Sequence, residues 1–207
     1  MRTSVAAPTT LLVAALLLAG CAAGSPDPAG TAPPSAAAPP ATAAPAVPTA
    51  SPTGPFSPTD IAWLQLTVAM TERVLPVLDL VPGGTTDPAW RRLAAQVEAA
   101  HRADLTRARR LLTESGAPAT NPHEGHDMPG MVTAEELAAL RSATGAPFER
   151  LVARHLRAHL AQSVRMAGAE QQAGAHPATT ALAAAVARDG TAELTRLDRL
   201  PGADRPA

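Results

Sequence analysis

The pattern of apolar and polar residues predicts helices over most of the chain after residue 57. Apolar residues recur three or four positions apart, as along one face of a helix, and no stretch alternates as a strand does. In the first such segment Trp63, Thr67, Met70 and Val74 share one face, opposite Glu72. The chain is therefore expected to be all-α.

Local start and stop signals divide this pattern into five helices. Ser57, Asp87 and Thr133 are typical capping residues, and glycine or proline follows each of the long segments. The predicted helices run from 57 to about 80 with a bend at Pro76, from 87 to 116, from 133 to about 143, from 147 to about 174, and from 177 to about 200.

An internal repeat relates the two halves of this helical region. The sequence LAAQV at 93–97 recurs as LAAAV at 182–186, and ADLTR at 103–107 recurs as AELTR at 192–196, both at an offset of 89 residues. Two related helical hairpins explain the repeat most simply. Packed together they make an antiparallel four-helix bundle, with the helix at 133–143 as a short addition after the central connector.

Helical phase places several metal-ligating side chains on the inward faces of the predicted helices. Buried carboxylates need partners, which can be a metal ion, an imidazole or an arginine. A small polar network in the core explains these residues as well as a metal site does. His101 lies at the edge of its apolar arc and is expected to be a surface or boundary residue. The candidate ligands in the bundle are Met70, Asp104, His155, His159 and Glu193.

The connector between the two hairpins carries further soft ligands. Its sequence PHEGHDMPGM, residues 122–131, contains His123, His126, Met128 and Met131. The two histidines are three residues apart with a glycine between them, which is not the helical H-E-x-x-H spacing of zinc proteases. Flexible methionines can instead close the open end of the bundle by packing. The histidines are therefore the better candidate ligands in this segment.

The N-terminus predicts export and lipid attachment. Arg2 precedes an apolar run at 11–18, and the sequence LAGC at 18–21 is similar to a bacterial lipobox. Such a segment is cleaved before Cys21, whose thiol and new amino group are then lipidated. The predicted organisation is a signal peptide at 1–20, a lipidated tether at 21–56, the bundle at 57–200 and a tail at 201–207.

Composition narrows the functional classes. The tether is almost entirely Ala, Pro, Thr, Ser and Gly, which cannot bury enough apolar surface to fold. The formal net charge of −1 gives no electrostatic footprint for nucleic acid. The single cysteine excludes an intramolecular disulfide bond. All basic residues other than histidine are arginine, which indicates the coding bias of a GC-rich genome such as that of an actinobacterium.

With these motifs assigned, the chain resembles the domain of unknown function 305 family. The resemblance covers about residues 57 to 200 and implies a secreted or lipid-anchored protein with a ferritin-like helical bundle. The motifs that carry it are MPGM at 128–131, the helix start at Thr133 and Glu136, FERL at 148–151, Met166–Ala167 and the two LAA repeats.

The resemblance also implies a metal site, with copper as the usual suggestion. In the family, the first and third long helices each carry a His-His pair. Here these positions hold Met70–Thr71 and His159–Leu160, so one of the four family histidines is present. The acids Asp104 and Glu193 match the family's acidic position.

Two functions follow from the sequence. The first is a cell-envelope lipoprotein that is attached to the membrane through Cys21 and binds a transition metal such as copper in the bundle or in the connector. The second is a structural or interaction module that binds an envelope partner without a metal. An enzyme is not expected, because no inward Glu-x-x-His pair or Ser-His-acid set is present.

Overall fold

Five α-helices make up the part of the chain that the computed structural model describes, residues 55–118 and 120–203. They are α1 (Pro58–Gly84), α2 (Pro88–Glu114), α3 (Ala134–Ser142), α4 (Gly145–Ala173) and α5 (Pro177–Leu197), and no strand occurs within these ranges. The all-α prediction is confirmed. The predicted signal peptide, Cys21 and nearly all of the predicted tether lie outside the described residues.

The end of α1 and the start of α4 differ from the prediction, each for its own physical reason. α1 continues through Pro82 to Gly84 rather than ending near residue 80, and both Pro76 and Pro82 lie inside it. Val77, Leu78 and Val81 are almost completely buried along this stretch, so their packing outweighs the loss of helical hydrogen bonds at the prolines. α4 begins at Gly145 because Pro147 is tolerated in the first helical turn.

The predicted capping signals act as expected. Two capping boxes are present, formed by Ser57 with Asp60 and by Thr133 with Glu136. In each, the side chain of either residue accepts a hydrogen bond from the backbone N–H of the other. The Asp87 side chain accepts from Ala89 N at the start of α2. These contacts satisfy backbone donors that a helix start leaves without an intrahelical partner.

The long helices pack as two hairpins that lie against each other. α1 contacts α2, α4 contacts α5, and the hairpins meet through α1 with α4 and α2 with α5. The short α3 contacts α1 and α4. α1 is long and apolar enough to cross a membrane, but over half of its most apolar stretch is buried in the bundle, as in the core helix of a folded domain. Residues 201–203 also pack on the bundle, where Pro201 O accepts from Trp90 Nε1 at 3.2 Å.

Candidate metal centre

A small cavity lies between α1, α2, α4 and α5. Its volume is about 30 Å³, roughly the share of one water molecule in the liquid. A space of this size can admit a single small ion. The ligand-bearing side chains that line it are Met70, His101, Asp104, His159, Met166 and Glu193. Four of the five ligands predicted for the bundle are therefore brought together.

Two histidines face each other across this cavity. His101 Nε2 on α2 lies 3.0 Å from His159 Nε2 on α4, and the ring centroids are 5.1 Å apart. His159 is completely buried at 1% exposure. Burial lowers the pKa of both imidazoles well below the usual range, and the pKa of His159 is lowered further by His101. Both rings are therefore neutral at pH 7.

The surroundings of the two Nδ1 atoms bear on which ring nitrogens carry the protons. Gly130 O in the connector lies 3.3 Å from His159 Nδ1, which donates to it when protonated. His101 Nδ1 is buried and makes no hydrogen bond of standard geometry. The Val97 carbonyl nevertheless lies close enough to raise the pKa of His101 against the effect of burial. If His101 is protonated on Nε2, this N–H donates to His159 Nε2; if both rings are protonated on Nδ1, two Nε2 lone pairs are directed at the same space.

Two acids line the cavity beside the histidines. Glu193 is 4% exposed, and burial, followed by the nearby charge of Asp189, raises its pKa to about 7. Burial also raises the pKa of Asp104, while Arg107, whose Nη1 lies 3.4 Å from Asp104 Oδ1, acts in the opposite direction. The cavity thus has carboxylate groups that can balance the charge of a bound cation.

Thioether groups collect at the same place. Met70 is 2% exposed and packs with Leu66, Ala69 and Met131 in one buried cluster, against which Met128 and Met166 also pack. The sequence contains five methionines, so every methionine except Met1 belongs to this cluster or borders it. Met70 and Met166 place their thioethers at the cavity itself.

His155 is buried but does not line this cavity. Its Nδ1 lies 3.9 Å from Glu136 Oε1 on α3, and its Nε2 lies 3.2 Å from Arg154 Nη2. Burial lowers the pKa of His155, and Glu136 opposes that shift. The two histidines of α4 therefore share an inward face, as predicted. His159 contacts His101 at the cavity, and His155 contacts Glu136 of α3.

The connector histidines also lie apart from the cavity lining. The His123 and His126 rings are 6.1 Å apart in an edge-on arrangement, and His126 is exposed. Asp127 in the same segment pairs with Arg73 at 3.3 Å. Within residues 55–118 and 120–203, no three His, Cys, Asp or Glu side chains group closely enough to hold a metal ion. Any metal site in the described chain therefore needs thioether or backbone ligands as well.

Sequence reasoning missed His101 as a member of the site. It lies three residues before Asp104, so the two share a helix face, and this spacing was the available signal. The 89-residue offset also relates His101 to Gly190, which lines the same cavity. Five such repeat-related pairs line it: 70 with 159, 71 with 160, 100 with 189, 101 with 190, and 104 with 193.

The fold and the cavity define a helical-bundle protein whose two hairpins converge on imidazole, thioether and carboxylate groups. The family model described as "Domain of unknown function (DUF305)" matches residues 60–200. The chain belongs to this family, as its motifs predicted. The family resemblance places histidine pairs at two positions, which here are Met70–Thr71 and His159–Leu160. The residues at both positions line the cavity.

Solved structures of the same family share the fold. A DUF305 fragment from Deinococcus radiodurans has 21% sequence identity and a TM-score of 0.63, over 69% of this chain and 94% of that one. A Streptomyces coelicolor structure described as "putative secreted protein DUF305" has 19% identity and a TM-score of 0.63, over 70% of this chain and 93% of that one. No curated protein matches the chain at a significant level.

Proposed function

We propose that this protein is a non-catalytic envelope lipoprotein that binds one soft transition-metal ion, Cu(I) in the first instance, in the bundle cavity. The observation that carries the proposal is the pair of Nε2 atoms 3.0 Å apart on His101 and His159. Two neutral imidazoles with converging lone pairs repel each other unless a proton or a metal ion lies between them. The cavity is the right size for that ion.

The spacing of the donors fits a metal ion. Metal–nitrogen bonds of about 2.0–2.1 Å in a tetrahedral site separate two ligand nitrogens by roughly 3.3–3.4 Å. The His101–His159 separation of 3.0 Å approaches this value, and a small side-chain rotation reaches it. Imidazole suits copper, zinc and nickel, while thioether ligands favour Cu(I). Met70 and Met166 supply the thioethers here.

The remaining residues support the two imidazoles. Gly130 O orients the His159 ring through Nδ1, as backbone carbonyls commonly do for ligating histidines. Asp104 and Glu193 supply negative charge at the cavity, which compensates a bound cation. A bound Cu(I) would make the site a store or carrier for the metal.

Membrane attachment through Cys21 belongs to the same proposal. The lipobox-like LAGC sequence at 18–21 supports it. An exported protein would bind copper before the metal reaches the cytoplasm.

A structural or interaction module without a metal is the competing function. The absence of three grouped His, Cys, Asp or Glu side chains among the described residues favours it. On that interpretation, the two histidines share a proton through Nε2 and form an ordinary polar contact in the core.

Anaerobic Cu(I) titration against a colorimetric chelator distinguishes the two functions. We expect one equivalent of tight binding by the wild-type protein. His101→Gln and His159→Gln should each weaken it by at least about 100-fold, beyond the 10–100-fold typical of groups that only orient a ligand. His155→Gln is the matched control, because His155 is buried on the same helix one turn earlier and outside the cavity.

Three results would contradict the proposal. They are no stoichiometric binding by the wild type, equal loss in the His155→Gln control, and binding abolished only by His126→Gln in the connector. The last result would place the metal site in the connector. The first would support the interaction module without a metal as the function.

A further inference from the structure

A pair of buried carboxyl groups lies away from the cavity, where the start of α1 meets the turn between α4 and α5. Asp60 is in the first turn of α1, and Glu170 is in the last turn of α4. They are 0% and 1% exposed. Neither contributes to the cavity described above, so their burial calls for a separate explanation.

Asp60 accepts hydrogen bonds from two segments of the chain. Ser57 N and Ser57 Oγ each donate to Asp60 Oδ2 at 2.6 Å. From the α4–α5 turn, Ala175 N and His176 N donate to Asp60 Oδ1 at 3.2 and 3.1 Å. The Asp60 carboxylate therefore joins the start of α1 to the turn between α4 and α5.

Glu170 is left without such donors. Both of its carboxyl oxygens are buried and make no hydrogen bond of standard geometry with the described residues. Gly174 makes room for this carboxyl group, because a Cβ atom there would overlap Glu170 Oε1. Gly174 directly precedes the two amides that bind Asp60, so both buried carboxyl groups lie against the same turn. Two buried carboxylates so placed repel each other, which favours a proton on one of them.

The surroundings decide which group is protonated. Burial raises the pKa of Glu170 to about 8, and the hydrogen bond and charge of Asp60 add to the shift. Burial acts in the same direction on Asp60, but hydrogen bonds from Ser57, Glu170 and His176 lower its pKa to about 2. At pH 7 the proton is therefore on Glu170, and Asp60 is ionised.

The other groups at this end of the bundle are mostly apolar. α2 and α5 contribute Ala108, Leu111, Leu182 and Ala183 to the neighbouring core cluster. His176, the N-cap residue of α5, is the remaining ionisable group against the pair. Its ring stacks on Phe56 with centroids 3.6 Å apart, and its Nδ1 lies 3.2 Å from Thr179 Oγ1.

We propose that Asp60 and Glu170 form a proton-dependent clasp, in which the proton retained on Glu170 keeps the start of α1 against the α4–α5 turn. The stack of Phe56 on His176 closes the same junction from the N-terminal side. Loss of the proton places two negative charges side by side and loosens the contact. The junction lies at the start of the described chain, so the clasp sets how firmly the first turn of α1 is held to the bundle. This inference does not depend on metal binding.

Site-resolved measurements on the full chain in the presence of a metal chelator test the clasp. In the wild type, the ¹³C shift of the Glu170 carboxyl group should titrate near pH 8. The opening constant of the Ala175 and His176 amides, from hydrogen exchange corrected for intrinsic rates, should rise about tenfold per pH unit between roughly pH 5 and 8. The reason is that the open form releases the proton that the closed form retains.

Glu170→Gln keeps the shape of the side chain and cannot ionise. We expect the opening constants of both amides to lose this rise in the variant, while His176 and Glu193 remain in both proteins. Glu124→Gln, an exposed change in the connector, should behave as the wild type does. Titration of Glu170 near pH 4–5 would overturn the proposal, and so would amide opening that does not follow the titration. If Glu170→Gln fails to fold, the two wild-type measurements still decide.

Discussion

Replacing Glu193 with glutamine should remove a large part of the pH dependence of stability in the metal-free protein. Glu193 is 4% exposed in the cavity, and burial, with help from Asp189, raises its pKa from 4.5 to about 7. At about 1.36 kcal/mol for each pH unit between the two values, the ionised side chain costs about 3 kcal/mol in the folded state.

The sign follows from the direction of the shift. The folded protein holds a proton on Glu193 that the unfolded chain releases above its ordinary pKa. The contribution of Glu193 to the free energy of unfolding is therefore intact below about pH 4.5, falls as the pH rises, and is fully lost above about pH 7. Glutamine cannot ionise and escapes this loss.

Urea unfolding at pH 5 and pH 9, with a metal chelator present, measures the effect. We expect the variant to match the wild type within about 1 kcal/mol at pH 5 and to exceed it by about 3 kcal/mol at pH 9. Glu170 is present in both proteins, so the comparison isolates Glu193. The exposed change Glu124→Gln is the control. Equal pH dependence in the variant and the wild type would refute the reasoning.

Three further changes test other parts of the molecule. Thr133→Ala removes the capping box of α3 and should lower the free energy of unfolding by about 1 kcal/mol, measured by urea unfolding. Gly130→Ala forces a side chain onto a φ of +87°, with its Cβ 3.0 Å from Ala158 O, and should cost about 1–3 kcal/mol while weakening Cu(I) binding, because Gly130 O no longer orients His159. Cys21→Ser should move the protein from the membrane fraction to the soluble fraction; retention in the membrane would contradict lipid attachment.

The sequence predicted the parts of the fold that depend on local chemistry. Ser57 and Thr133 begin helices because their side chains satisfy backbone donors within the next turn, a contact that needs no distant residue. The end of α1 was less predictable. Pro82 and Gly83 are stop signals, but burial of Val81 and its neighbours against the rest of the bundle extends the helix past them.

The candidate site was only partly predictable, because phase within one helix does not give distance between helices. His159 and His155 share an apolar arc, yet they are one turn, or about 5.4 Å, apart along the axis. His159 lines the cavity of about 30 Å³, whereas His155 contacts Glu136. His101 lies at the edge of its own arc, but its ring is long enough to reach His159 from there. That contact could be found only with the helices packed.

Positions related by the internal repeat line the cavity in pairs, as expected if the two hairpins arose by duplication of one. His101 and His159 are not equivalent positions of the repeat, since the partner of His101 is Gly190 and that of His159 is Met70. Two copies of the first hairpin would bring two His101 and two Met70 together, and two copies of the second would bring two His159 and two Gly190. A symmetric pair of either hairpin therefore lacks the contact between His101 and His159, which depends on the divergence of the two halves.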